Sequence, residues 1–170
     1  MRGKRWDSSD LGTNVVYLNK PLVLRSSNGV PASTIIDGGG KYRGIATYYP
    51  VAGANPFVID GFTISNCFTT NRGGAIHFDD TAAYAGKPCI VRNCIIRDNV
   101  ALSSGGGIHA GIGNTSYLTL TVSNCVIRNN QARGASVGGG GIWGSGIGFR
   151  LKEFHVAAVT HIEQDNFALG

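Results

Sequence analysis

Three stretches of the chain repeat at almost constant spacing, and that repetition narrows the possible folds more than any other feature. Ile59-Asp60-Gly61-Phe62-Thr63-Ile64-Ser65-Asn66 is echoed by Val91-Arg92-Asn93-Cys94-Ile95-Ile96-Arg97-Asp98-Asn99, and again by Val122-Ser123-Asn124-Cys125-Val126-Ile127-Arg128-Asn129-Asn130. Ile64 to Ile96 is 32 positions and Ile96 to Ile127 is 31. Each unit runs on to a glycine cluster ending in isoleucine: Gly73-Gly74-Ala75-Ile76, Gly105-Gly106-Gly107-Ile108 and Gly139-Gly140-Gly141-Ile142. A period of this size marks stacked supersecondary units, none of which can bury its apolar face alone.

Within a unit, short strand signals alternate with corner signals. In Cys94-Ile95-Ile96 a period of two puts Cys94 and Ile96 inward and Ile95 outward. The matching inward pairs are Phe62 with Ile64 and Cys125 with Ile127. Asp60-Gly61, Arg92-Asn93 and Ser123-Asn124 precede these strands, and Ser65-Asn66, Asp98-Asn99 and Asn129-Asn130 follow them. Both sets suit sharp corners, because Asn tolerates the left-handed region and bonds nearby backbone. The glycine cluster supplies a third bend and delivers Ile76, Ile108 and Ile142 inward on another strand. Equivalent strands lying over one another must run parallel. The expected fold is therefore all-β, a right-handed parallel β-helix of about four to five rungs, with 79–88, 111–118 and 133–138 looping out.

Pro21-Leu22-Val23-Leu24-Arg25 and Ser33-Thr34-Ile35-Ile36-Asp37-Gly38 read as strands of an earlier rung, and Phe57-Val58-Ile59 as a further strand. The expected organisation is an N-terminal arm over 1–14, poorly ordered, a β-helix over 15–148, and a C-terminal cap or tail over 149–170. Leu151, Phe154, Ala158 and Ile162 recur at helical spacing, so the segment is expected to be a capping helix or else an unrelated, poorly ordered tail. The open ends of such a solenoid expose unpaired backbone groups. End-to-end self-association is expected, with the chain a piece of a longer solenoid.

Composition removes several alternatives. Glycine is abundant, 26 of 170 residues, but lacks the every-third-residue period of collagen. The chain is 42% hydrophobic in a periodic pattern, which argues against disorder. Its net charge of +5 falls to +2 (5 − 3) without Arg2, Lys4 and Arg5, and the internal cations are interspersed with carboxylates. That is not the basic stripe of a nucleic-acid-binding face, so no nucleic-acid partner is expected. No apolar run reaches the ~18–20 residues of a membrane helix, and no signal peptide is visible. Cys67, Cys89, Cys94 and Cys125 contain no Cys-x-x-Cys pair, which argues against zinc. Stacked strands lie about 4.8 Å apart, wider than the Cβ separation of about 3.8 Å in a disulfide. Cys94 and Cys125 therefore fit buried free thiols better than a bridge.

Over about residues 20 to 146 the chain resembles the right-handed β-helix repeats of the pectin-lyase-like superfamily. Lys20-Pro21-Leu22-Val23-Leu24 and Ser33-Thr34-Ile35-Ile36-Asp37-Gly38-Gly39 look like its opening rungs. The Asn-Cys-x-Ile-x-x-Asn and Gly-Gly-[Ala/Gly]-Ile pairs are similar to the repeats of polymorphic outer-membrane, autotransporter-type proteins, and Gly73-Gly74-Ala75-Ile76 matches their Gly-Gly-Ala-Ile motif outright. The Phe-x-x-Asn motif of those repeats is Ile96-x-x-Asn99 and Ile127-x-x-Asn130 here. The resemblance implies an extracellular or cell-surface location and a partner that is a polysaccharide or cell-surface glycan; with no signal peptide visible, either an export signal lies upstream of this start or the chain is not exported.

The superfamily carries lyases, hydrolases, epimerases and plain adhesins, so function must be argued from sites. Lyases of this fold hold calcium on outer-face carboxylates and abstract a proton with a basic residue. The corresponding outward column, Thr63, Ile95 and Val126, can do neither. Asp79 and Asp80 are the one adjacent acidic pair in the repeats, and they point apart if they sit on a strand. No Ser-His-Asp ordering and no phosphate loop are present. No catalytic residue, metal or cofactor is expected. The residues after the glycine-cluster isoleucines, His77, His109 and Trp143, should stack on one outer face, with Asp79 and Asp80 nearby. This candidate ligand column either packs beneath the loops, stacks on a sugar ring, or holds a metal through two imidazoles. A second column, Arg97 with Asp98 and Arg128 with Asn129, is a solvated face or an anion contact. The leading expectation is a non-catalytic β-helix module of a secreted or surface protein, acting as stalk, adhesin or carbohydrate-contacting surface. The alternative is a fragment of a polysaccharide lyase or glycoside hydrolase.

Overall fold

A computed structural model describes residues 13–47, 55–78, 88–111, 119–133 and 138–144, and the backbone of 148–155. The described residues form an all-β parallel solenoid. Its strands in chain order are β1 (Asn14–Leu18), β2 (Val23–Arg25), β3 (Ile35–Asp37), β4 (Arg43–Thr47), β5 (Phe57–Asp60), β6 (Thr63–Ser65), β7 (Phe68–Thr69) and β8 (Ile76–Phe78). They continue as β9 (Pro88–Arg92), β10 (Ile95–Arg97), β11 (Val100–Ala101), β12 (Ile108–Ala110), β13 (Thr119–Arg128), β14 (Gln131–Ala132), β15 (Ile142–Gly144) and β16 (Gly148–His155).

Each turn of chain contributes to three sheets. The first sheet is β1-β4-β8-β12-β15, and the third is β7-β11-β14. The second has two halves, β2-β5-β9 and β3-β6-β10, joined because β13 runs unbroken across the corner that splits the earlier turns. Three turns carry a strand in all three sheets, slightly fewer than the four to five rungs expected. The remaining strands belong to partial turns on either side.

The register is the one the repeat dictates. Ile36, Ile64, Ile96 and Ile127 lie in one column, and Ile45, Ile76, Ile108 and Ile142 in another. Ile45, Ile64, Ile76, Ile96 and Ile108 are fully buried, so each turn covers the apolar face of the next. At about 1.5–3 kcal/mol per buried large apolar side chain, this core supplies the main force holding the turns together.

Corners are set by residues that accept a positive φ. Gly61, Asn93 and Asn124 (84°, 52° and 48°) turn the chain between the halves of the second sheet. Asn66, Asp98 and Asn129 (54°, 58° and 55°) turn it into the third. A third set, Gly73, Gly105 and Gly139, takes φ of 64°, 65° and 51°. Behind them, a Cβ on Gly74 would strike the carbonyl oxygen of Gly106, so the glycine clusters also permit close stacking. Next to the second corner, Asn99 and Asn130 turn into the core. Asn99 accepts the Cys67 N–H (3.0 Å) and donates to the Ile64 carbonyl (3.1 Å) and to Asn130 Oδ1 (2.8 Å). Asn130 donates to the Ile96 carbonyl at 2.9 Å. This asparagine ladder satisfies backbone groups that the corner leaves unpaired inside the core.

The expected C-terminal helix is not found where it can be tested. Gly148–His155 is a strand, paired in parallel with β13 from Thr119↔Gly148 to Val126↔His155. β13 is ten residues long and offers a continuous row of backbone partners. That template outweighs the helical spacing of Leu151 and Phe154. Residues 156–170, most of the arm over 1–14, and nearly all of the three expected loops lie outside the described residues. Among the described residues no helix is long and apolar enough to cross a membrane.

At the other end, β1 and the β2–β3 pair are, among the described residues, the outermost strands of their sheets. Val15, Val23 and Ile35 there are 44%, 56% and 55% exposed.

Candidate functional site

The outer face of the first sheet carries the aromatic column expected from the glycine-cluster spacing. Ala46, His77, His109 and Trp143 are in register. The His77 and His109 ring centroids are 5.0 Å apart at 25°, and those of His109 and Trp143 are 4.4 Å apart at 11°. Both histidines are fully buried, whereas Trp143 is half-buried. Burial pushes both imidazole pKa values well below the ordinary range. The neighbouring His109 and the positive charges of Arg43 and Arg72 add to this for His77, and the same two arginines do so for His109. Both rings are therefore neutral. None of their four nitrogens has a hydrogen-bond partner.

This geometry limits what the column can do. His109 has one ring face against His77 and the other against Trp143, so neither is left for a sugar ring. Zinc sits about 2.0–2.1 Å from each imidazole nitrogen, which requires rings converging on one point, and these stack side by side. No group of three metal-binding side chains occurs among the described residues. Asp79 and Asp80, expected beside the column, lie outside the described residues.

The carboxylates are placed differently. Asp60, nearly buried, accepts Arg25 Nε at 2.9 Å, Arg92 Nε at 3.0 Å and Asn93 Nδ2 at 2.7 Å. Burial raises its pKa, but the bonds from Asn93, Arg92 and Arg25 outweigh that and leave it lowered. Arg25, Asp60 and Arg92 are register neighbours in three successive turns. The column of alternating charge so formed was missed from sequence, although spacings of 35 and 32 residues, close to one repeat, carried the signal. Asp98 accepts Arg97 at 2.6 Å and Asn129 Nδ2, from the following turn, at 3.2 Å. Its pKa is likewise lowered, these bonds outweighing the effect of burial. Asp37 accepts Asn66 Nδ2 at 3.1 Å and the Gly39 N–H at 2.7 Å. Thr63, Ile95 and Val126 occupy the outward column as expected. Thr63 is nevertheless covered, its hydroxyl donating to the Pro31 carbonyl at 2.9 Å.

All four cysteines are free and buried. Cys94 and Cys125 lie one turn apart, their thiols donating to the Arg92 carbonyl at 3.0 Å and the Ser123 carbonyl at 3.2 Å, and the adjoining Cys94 thiol, together with burial, raises Cys125. Burial pushes Cys67 up to about 12.

One concave feature lies where the second sheet turns into the third. A cleft of about 450 Å³ is lined by Asp98 and Asn129 from the corner and by Val100 and Gln131 from β11 and β14. Arg133 Nε holds Gln131 Oε1 at 2.8 Å.

No protein-family model, curated protein or solved structure matches this chain. Its fold and stacked columns define it as a parallel β-solenoid repeat protein.

Proposed function

We propose that this chain is a non-catalytic β-helix module of a secreted or cell-surface protein, of the pectin-lyase-like and autotransporter-repeat kind. It serves as a stalk or adhesin segment that holds a rigid face toward glycans. One observation carries the reading. All three carboxylates whose side chains are described, Asp37, Asp60 and Asp98, bond to a side chain of the next turn. Asp60 and Asp98, with pKa values lowered, stay ionised near neutral pH. They act as staples between turns, and a general acid would need the opposite shift. The neutral, buried histidines likewise contribute to packing.

The same reading includes end-to-end association through the β1–β3 edge, where Val15, Val23 and Ile35 are exposed and, among the described residues, no strand lies beyond β2 and β3.

The experiment is incubation with polygalacturonate and other uronate polymers, with and without calcium, followed by detection of unsaturated or reducing ends. No product is expected under either condition. Sustained product formation that survives repurification would overturn this reading in favour of a polysaccharide lyase or hydrolase fragment.

A further inference from the structure

We propose that Asn28 is a site of spontaneous deamidation in the folded chain, its side-chain amide converting through a cyclic imide to isoaspartate and aspartate. Asn28-Gly29 is the one Asn-Gly step in the sequence, and every other asparagine precedes a residue with a Cβ. The step lies in the turn between β2 and β3, where both residues are exposed. Glycine leaves its backbone nitrogen open to attack on a neighbouring group because it carries no side chain. The fold adds no shield, since a Cβ built on Gly29 would meet nothing within 4 Å. The Gly29 N–H donates to the Ser26 carbonyl at 3.4 Å, a longer and weaker bond than an ordinary backbone pair.

The turn also holds the electrophile. Asn28 Oδ1 accepts the Val30 N–H at 3.0 Å, which curls the side chain forward across the Gly29 peptide. That N–H stays aimed at the amide oxygen as the oxygen becomes negative, and so favours the addition step. Asn28 Nδ2, the leaving nitrogen, donates to Ser33 Oγ at 2.6 Å in an exposed bond. The reaction needs only water. Gly29 N gives up its proton and bonds to Asn28 Cγ, the Cγ–Nδ2 bond breaks, and Nδ2 leaves with a proton as ammonia. Water then opens the imide, at the Asn28 backbone carbonyl to give isoaspartate or at Cγ to give aspartate.

The two Asp-Gly steps, Asp37-Gly38 and Asp60-Gly61, are held differently. Their glycine N–H groups are tied to the next turn, at the Ser65 carbonyl (3.1 Å) and the Arg92 carbonyl (3.2 Å). Isoaspartate at position 28 inserts a methylene into the backbone, and either product removes the donor to Ser33 Oγ. A carboxylate then stands on the β2–β3 edge that carries the exposed Val23, Val30 and Ile35. The modification depends on neither the glycan-facing nor the association reading.

The test is incubation of the intact chain at mildly alkaline pH, followed by peptide mapping with fragmentation that separates isoaspartate from aspartate. Asn28 should convert before any other asparagine, with isoaspartate as the larger product. Gly29→Ala should slow conversion severalfold, although alanine is strained at the φ of 66° there. Asn28→Ser keeps an oxygen for the turn at an exposed position, so it should fold as the parent does and lose the early modification entirely. An Asn28 that stays intact, earlier conversion elsewhere, aspartate as the sole product, or early modification that persists in Asn28→Ser would each overturn the proposal. So would a folded Gly29→Ala chain that converts as fast as the parent.

Discussion

Replacing Asn99 with alanine probes the device that holds the turns in register. The Asn99 amide is completely buried and makes three bonds, to the Cys67 N–H, the Ile64 carbonyl and Asn130 Oδ1. In the variant the Cys67 N–H loses its acceptor inside the core, a penalty of about 1–3 kcal/mol, and the other two bonds are worth about 0.5–1.5 kcal/mol each. The expected loss is therefore about 2–6 kcal/mol, against a total stability of about 5–15 kcal/mol for an ordinary domain. Asn130 Oδ1 keeps its bond from the backbone N–H of position 99, which prevents a larger loss. Equilibrium unfolding in urea, followed by circular dichroism, measures the difference. The control is Asn129→Gly, at an exposed corner with φ 55° where glycine fits without strain; it gives up only the exposed bond to Asp98 and should cost about 0.5–1.5 kcal/mol. If Asn99→Ala costs no more than that control, the ladder does not hold the turns and the reasoning fails.

Native-state labelling should modify Cys94 and Cys125 slowly, and rapid reaction of both without denaturant would contradict their inward stacking. Ile96→Asp places an unpaired charge between Ile64 and Ile127, costs several kcal/mol and should abolish the cooperative melt; an unchanged melt would mean that strand faces outward. His77 and His109 have folded-state pKa values well below the unfolded value of about 6.5. As pH falls through about 6.5 the unfolded chain takes up protons first, so stability is complete above that pH and declines below it. Arg43, Arg72 and the partner imidazole all oppose the buried charge, and urea midpoints of a His77→Phe, His109→Phe double variant should show a shallower acid limb than the parent. For association through the β1–β3 edge, Val23→Lys should shift sedimentation toward monomer. A parent chain that is strictly monomeric at high concentration would remove that element of the proposal.

The repeat made the core legible because a parallel solenoid aligns equivalent residues with themselves. Ile64, Ile96 and Ile127 could be placed inward from spacing alone, and so could the stacking of His77, His109 and Trp143. Burial on an outer face could not be read the same way. A period of two says which side of the sheet His77 takes and nothing about whether that side meets solvent. The strand at Gly148–His155 escaped for a related reason. Local spacing favoured a helix, whereas the long edge of β13 that captures the segment exists only once the fold has formed. The Arg25–Asp60–Arg92 column shows the same physics acting in the other direction. Each residue alone looks like an ordinary surface charge, and only stacking brings them within 3.0 Å. In such a fold the sequence period therefore identifies which groups will be neighbours, and it carries no information about which of those neighbours a ligand can reach.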